Sequence, residues 1–92
     1  MTIKVFGKKN CAKCQTTKNK LHFFLKKWNI ADKIKVNFYD MDLVEGLAEG
    51  AFYDVGKVPT TVLEKEGKEK ARWAGEVPKS EEFKKHLLAG TA

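Results

Sequence analysis

Cys11 and Cys14 are the only two thiols in this 92-residue chain. With two residues between them, they can close a disulfide across one helical turn, exchange it with another disulfide, or give two soft ligands to a metal. As a structural staple the pair offers little, because so small a loop removes little entropy from the unfolded chain. Exchange requires a thiolate, and a thiolate is favoured at the start of a helix, where unpaired backbone N–H groups meet the positive end of the helix dipole. Cys11 is expected to sit in such a first turn, with Lys8, Lys9 and Lys13 adding positive charge, and to attack a substrate disulfide. Cys14, one turn further along, is expected to be shielded and to resolve the mixed disulfide formed at Cys11.

The flanking residues supply the elements that would position this pair. Thr2 to Phe6 alternates, with Ile3 and Val5 on one face, and predicts a short strand. Gly7-Lys8-Lys9-Asn10 forms the turn, with Asn10 as N-cap. From there to Trp28 the stripe Cys14, Leu21, Phe24, Leu25 and Trp28, with Thr17 filling a gap, predicts an amphipathic helix, and Asn29 suits its left-handed end. Ile34 to Asp40 predicts a second strand, parallel to the first across the helical crossover. Asp42, with Glu45 three residues on, predicts the start of a second helix whose stripe is Leu43, Leu47 and Ala51, widened by Ala48, Phe52 and Val55. Gly46 and Gly50 weaken that helix, and Gly56 closes it. Thr60 to Lys65 and Lys68 to Trp73 predict an antiparallel hairpin around Glu66-Gly67. Ser80 caps a last helix docked by Phe83, Leu87 and Leu88. The order is β-α-β-α-β-β-α, one α/β domain over 1–92 with a four-stranded mixed sheet and helices on both faces.

Charge is unevenly spread. Residues 1–35 hold ten lysines against one aspartate, residues 36–66 hold two lysines against seven acids, and the whole chain carries +6. The positive field therefore surrounds the cysteines. Nucleic-acid binding is not expected, since Phe24 and Trp28 fall on the buried stripe and offer no stacking platform. No apolar stretch approaches the roughly 18–20 residues needed to span a bilayer, and a secretory pattern is missing, so a soluble, cytoplasmic monomer is expected.

The strand leading to Cys11-Ala12-Lys13-Cys14 and its helix, Val58-Pro59-Thr60 before a hairpin, and the Gly75 loop into a final helix together resemble the thioredoxin superfamily over nearly the whole chain. The short N-terminal stretch is similar to a glutaredoxin; Val58 to Val62, the hairpin and Trp73 to Lys79 are closer to thioredoxin. The resemblance implies the thioredoxin fold and a dithiol–disulfide oxidoreductase with Cys11 and Cys14 catalytic. It also implies a substrate edge built from Val58, Pro59, Thr60 and Lys13, in which the backbone of Val58 pairs with substrate as an added strand. On general frequencies the Val58–Pro59 bond would be trans; the resemblance implies cis. The expected partners are a disulfide-containing protein and a reductant, either a thioredoxin-reductase-like enzyme or glutathione, with no cofactor beyond the redox disulfide. The chain departs from both parents. Thioredoxins carry Trp before the first cysteine, Gly-Pro within the pair, and a buried carboxylate six positions upstream; here stand Asn10, Ala12-Lys13 and Val5. The glutaredoxin Pro-Tyr pair is missing too, and Ala74-Gly75-Glu76 only partly matches the glutathione-gripping pattern.

Metal binding is the rival reading. The pair gives two ligands where zinc or an iron–sulfur cluster usually needs four, and His22 and His86 stand at no finger-like spacing. The remaining metal option is a glutaredoxin-like cluster shared between two subunits and completed by glutathione.

Overall fold

The computed structural model describes residues 1–91, with side chains through Leu87. Its elements are β1 (Thr2–Gly7), α1 (Ala12–Lys27), β2 (Lys35–Asp40), α2 (Val44–Phe52), β3 (Thr60–Lys65), β4 (Lys68–Ala74) and α3 (Ser80–Thr91). The strands form one sheet in the order β2-β1-β3-β4. β1 pairs in parallel with β2 and antiparallel with β3, and β3 pairs antiparallel with β4. This is the expected mixed sheet, and β1 lies inside it. The hairpin turn places both Glu66 and Gly67 at positive φ, 55° and 78°, the primed turn geometry that follows the strand twist. No helix among the described residues is long and apolar enough to cross a membrane.

Alternation along β1 divides the molecule. Ile3 and Val5 point to one face, where Leu21, Phe24 and Leu25 of α1, Phe83 and Leu87 of α3, and Leu63 and Trp73 close over them in one buried cluster. The period of the α1 stripe therefore did what it predicts: it aims the apolar side at the sheet and leaves the lysines in water. Asn29 takes φ 55° and ends the helix as expected. Phe23, off the stripe, is 59% exposed, with Lys27 Nζ 5.8 Å from its ring centroid. Leu88, expected to dock α3, lies outside the described side chains.

The opposite face corrects the reading of α2. Asp42 is exposed and does not cap the helix; Leu43 holds the N-cap position and makes no side-chain cap bond. The Asp40 carboxylate accepts from the Asp42 backbone N–H at 2.9 Å, which fixes the turn ahead of the helix without capping it. The predicted stripe is turned outward: Leu43 and Leu47 are each 53% exposed and Phe52 81%. What faces the sheet is Gly46 and Gly50, both buried. The reason is distance. A Cβ on Gly46 would lie 1.9 Å from the Asp40 carbonyl oxygen, and one on Gly50 would lie 2.6 Å from Met41 Cε. The glycines that weaken the isolated helix are the ones that let it approach the sheet.

Polar bonds complete this contact. Lys4, between Ile3 and Val5 but pointing to the α2 side, donates to Glu49 at 2.9 Å and to the Tyr53 hydroxyl at 2.8 Å. Tyr53 in turn donates to Glu64. Arg72 donates to the Tyr53 carbonyl oxygen, a cation at the helix end where carbonyls lack partners.

Candidate active site

Cys11 and Cys14 form a disulfide, with Cα atoms 5.1 Å apart. α1 begins at Ala12, so its N-cap is Cys11 and not Asn10, which is exposed and stands one residue early. The capping acceptor is the cysteine's own Sγ, 3.1 Å from the Cys14 backbone N–H that donates to it. A sulfur tied to residue 14 is held over the first turn, which leaves no need for the asparagine oxygen. The pair is asymmetric: Cys11 is partly exposed and Cys14 is fully buried.

Burial of Cys14 depends on Gly7. The strand runs one residue further than its alternation predicts, and a Cβ at Gly7 would stand 3.0 Å from both Cβ and Sγ of Cys14. Any side chain there would press on the disulfide. In the sequence Gly7 reads as the first residue of the basic turn; its place at the end of the strand, four residues before Cys11, is the only signal of this second role.

The three lysines are exposed and surround the helix start, as expected from sequence. They are not equivalent. Lys8 leans to the far side, where its Nζ is 3.7 Å from the Asp42 carboxylate, and an exposed ion pair of this kind offsets part of its field.

The Val58–Pro59 bond is cis, in agreement with the family resemblance and against the general frequency of such bonds. Thr60 pairs with Phe6 in the sheet register, which brings Pro59 level with Gly7 and hence to Cys14. Pro59 and Thr60 are buried and Val58 is partly exposed. Two bonds fix this loop: the Thr60 hydroxyl donates to the Lys57 carbonyl oxygen at 2.6 Å, and Gly75 N–H donates to the Pro59 carbonyl oxygen at 2.8 Å. Gly75 takes φ 72° with the Lys57 stem beside it, so the two loops predicted from separate stretches meet at one edge. A groove of about 210 Å³ runs from Lys8 past Lys57 and Val58 to Leu47.

Other candidates fall elsewhere. Trp73 is a core residue; it is 4% exposed, and its indole N–H donates to Glu82 at 3.1 Å. Trp28 stacks on Phe24 with ring centroids 4.9 Å apart. His22 and His86 are exposed on different helices. Among the described residues no group of three or more His, Cys, Asp or Glu is placed to hold a metal ion.

A helix-capping cysteine pair with one accessible sulfur, set beside a cis-proline loop on a β2-β1-β3-β4 sheet, defines a protein of the thioredoxin-fold class. The sequence profile of the thioredoxin domain family matches residues 1–88, and the chain belongs to that family. Its fold is similar to that of thioredoxin 1 from Thermosipho africanus, at 22% identity and TM-score 0.76 over the full length of both chains. It is also similar to a mutant thioredoxin from Halobacterium salinarum, at 22% identity and TM-score 0.79, covering 99% of this chain and 74% of that one. Oxidised thioredoxin O2 from Arabidopsis thaliana gives 18% identity and TM-score 0.75, covering 96% and 72%. A search of curated proteins returns no match. Membership of this family together with the Cys-x-x-Cys disulfide points to thiol–disulfide oxidoreductase chemistry.

Proposed function

We propose that this protein reduces disulfides of protein substrates by a two-cysteine mechanism. The observation that carries the reading is the asymmetry of the pair, Cys11 partly exposed at the helix N-terminus and Cys14 fully buried beneath it. In the reduced protein the Cys11 thiolate attacks one sulfur of the substrate disulfide. The other substrate sulfur leaves as a thiolate and takes up a proton. Cys14 then loses its proton and attacks Cys11, releasing the second substrate thiol and forming the Cys11–Cys14 disulfide. Two electrons and two protons pass to the substrate. A reductant restores the pair, either a thioredoxin-reductase-like enzyme or two molecules of glutathione that leave as their disulfide, and no other cofactor is needed.

Unpaired N–H groups at the first turn, with Lys9 and Lys13, favour the Cys11 thiolate, while Lys8 contributes less through its pairing with Asp42. Val58 offers a backbone edge to an extended substrate, and cis-Pro59 forms the wall beside the sulfurs. Replacing Cys14 with Ser leaves Cys11 able to attack but nothing to resolve. Mixed with a disulfide-bonded protein and no other thiol, pre-reduced Cys14→Ser should accumulate a mixed disulfide visible on a non-reducing gel. Full turnover by Cys14→Ser would exclude the two-cysteine mechanism. Alkylation against pH tests the thiolate argument, which fails if Cys11 titrates at or above the free-thiol value of about 8.5.

A further inference from the structure

Three threonines are buried among the described residues: Thr17, Thr60 and Thr61. The Thr17 hydroxyl donates to the Lys13 carbonyl oxygen and that of Thr60 to the Lys57 carbonyl oxygen. Thr61 Oγ1 has no hydrogen-bond partner, although the residue is fully buried. A buried hydroxyl left unpaired is costly, and valine has nearly the same shape without that cost. The position of the hydroxyl suggests what it could bond.

Thr61 stands directly across from Val5 in the β1–β3 register. Cross-strand partners share a face of the sheet, and so do residues two apart along a strand. Thr61, Val5 and Gly7 therefore face the same side, the side on which the Cys14 sulfur lies against Gly7. The diagonal from Thr61 to Gly7 is about 7 Å between Cβ positions, so a freed Cys14 sulfur is reachable directly or through one water. Val5 is apolar and buried, and none of the described carboxylates is buried.

We infer that Thr61 is a hydrogen-bond donor for the resolving sulfur: when the Cys11–Cys14 bond is open, its hydroxyl stabilises the Cys14 thiolate. The inference rests on the two-cysteine reading above. In the step concerned, Cys14 gives its proton to water, its sulfur attacks Cys11, the bond from Cys11 to the substrate breaks, and the substrate leaves as a thiolate that is then protonated. Thr61 keeps its own proton throughout.

The charged groups around Cys14 are few. On α1, Lys13 is exposed and Lys18 sits with Nζ 5.4 Å from the Phe38 ring centroid. On β2, Asp40 is in register with Gly7, with its carboxylate accepting from the Asp42 N–H. Lys8 follows β1 and pairs with Asp42, and Lys57 precedes the cis-proline along Gly75. Among the described residues Asp40 is thus the one carboxylate in register with the site, and it serves as the control.

The test uses the reduced protein and the chromogenic aryl disulfide dithiobisnitrobenzoate. Attack by Cys11 releases one coloured thiolate; resolution by Cys14 releases the second in a phase independent of reagent concentration. In Thr61→Val the second phase should be about tenfold slower at pH 7, the loss of one hydrogen bond to a charged group, and should recover towards alkaline pH. Thr61→Ser should restore the wild-type profile, and the first phase should not change in either variant. The oxidised Thr61→Val protein should be no less stable than wild type. An unchanged second-phase profile in Thr61→Val overturns the inference, as does equal slowing by Val and Ser. A profile that moves with Asp40→Asn and not with Thr61→Val overturns it in favour of the aspartate. If the wild-type protein itself shows no second phase, the two-cysteine reading fails, and the inference with it.

Discussion

The two faces of the sheet are covered by opposite means. On one, α1 sends Leu21, Phe24 and Leu25 into a shared core with α3 and keeps its lysines in water. On the other, α2 presents glycines to the sheet and its leucines, Val44 and Phe52 to solvent. Side-chain burial anchors the first helix; close backbone approach and the Lys4–Glu49–Tyr53–Glu64 cluster anchor the second. The cysteines stand on the helix with the deep anchor. An attacking sulfur must be held steady for exchange, and a helix locked by a core gives that support.

Substitutions test this contrast. The largest effect is expected for Gly46→Ala, because a methyl group 1.9 Å from the Asp40 carbonyl oxygen meets backbone that no rotamer change can move. A loss of about 3 kcal/mol or more is expected from denaturant midpoints, although alanine is the better helix former; a neutral result would mean that α2 does not pack through its glycines. Next comes a matched pair. Leu21→Ala, at 1% exposure, should cost about 3 kcal/mol, whereas Leu47→Ala, at 53% exposure, should cost less than about 1. Similar costs at both sites would erase the distinction between the faces.

Lys4→Met should cost about 2 kcal/mol, since it leaves the Glu49 and Glu64 carboxylates without their cation in a mostly buried site. Burial works against the Lys4 charge, but its bonds to Tyr53 and Glu49 and the charge of Glu64 outweigh it and raise its pKa well above the ordinary lysine value. Burial and the bond to Glu64 raise that of Tyr53. Both groups then hold protons in the folded state that the unfolded chain releases, so stability should fall as pH rises above about 10. Lys4→Met should flatten this alkaline loss in thermal melts, and an unchanged slope would remove the cluster from the account. The smallest effect is expected at Phe52. At 81% exposure, Phe52→Lys should change stability by less than about 0.5 kcal/mol, and a large loss would show that the outer face of α2 is not free.

Legibility in the sequence follows the same division. α1 and the strands were readable because burial there obeys period: alternation for Ile3 and Val5, a helical stripe from Cys14 to Leu25. The same rule misled at α2, where Leu43, Leu47 and Ala51 make a regular stripe that points outward. Period reports which residues are apolar together; it does not report that a carbonyl oxygen stands where the inward side chain would go. The cysteine pair was readable from spacing, whereas its cap was misplaced by one residue because Asn10 and Cys11 both carry acceptors. The cis-Pro59 came from family resemblance alone. The Lys4 cluster and the unpaired Thr61 hydroxyl arise from residues brought together across strands and helices, and no local pattern announces them.

The place of β1 inside the sheet also matters while the chain is being made. Residues 2–7 are synthesised before the strands that flank them, and β2 covers one of their edges once Asp40 has emerged. The other edge has no strand until β3, which ends at Lys65. At ordinary synthesis rates that interval lasts roughly one to several seconds, during which the nascent chain shows an open strand edge, the usual template for association between chains. Lys4 sits in the middle of that edge. In the finished protein its charge is neutralised within the cluster under α2; before α2 and β3 arrive it is a free cation, a gatekeeper against pairing with a neighbouring nascent chain.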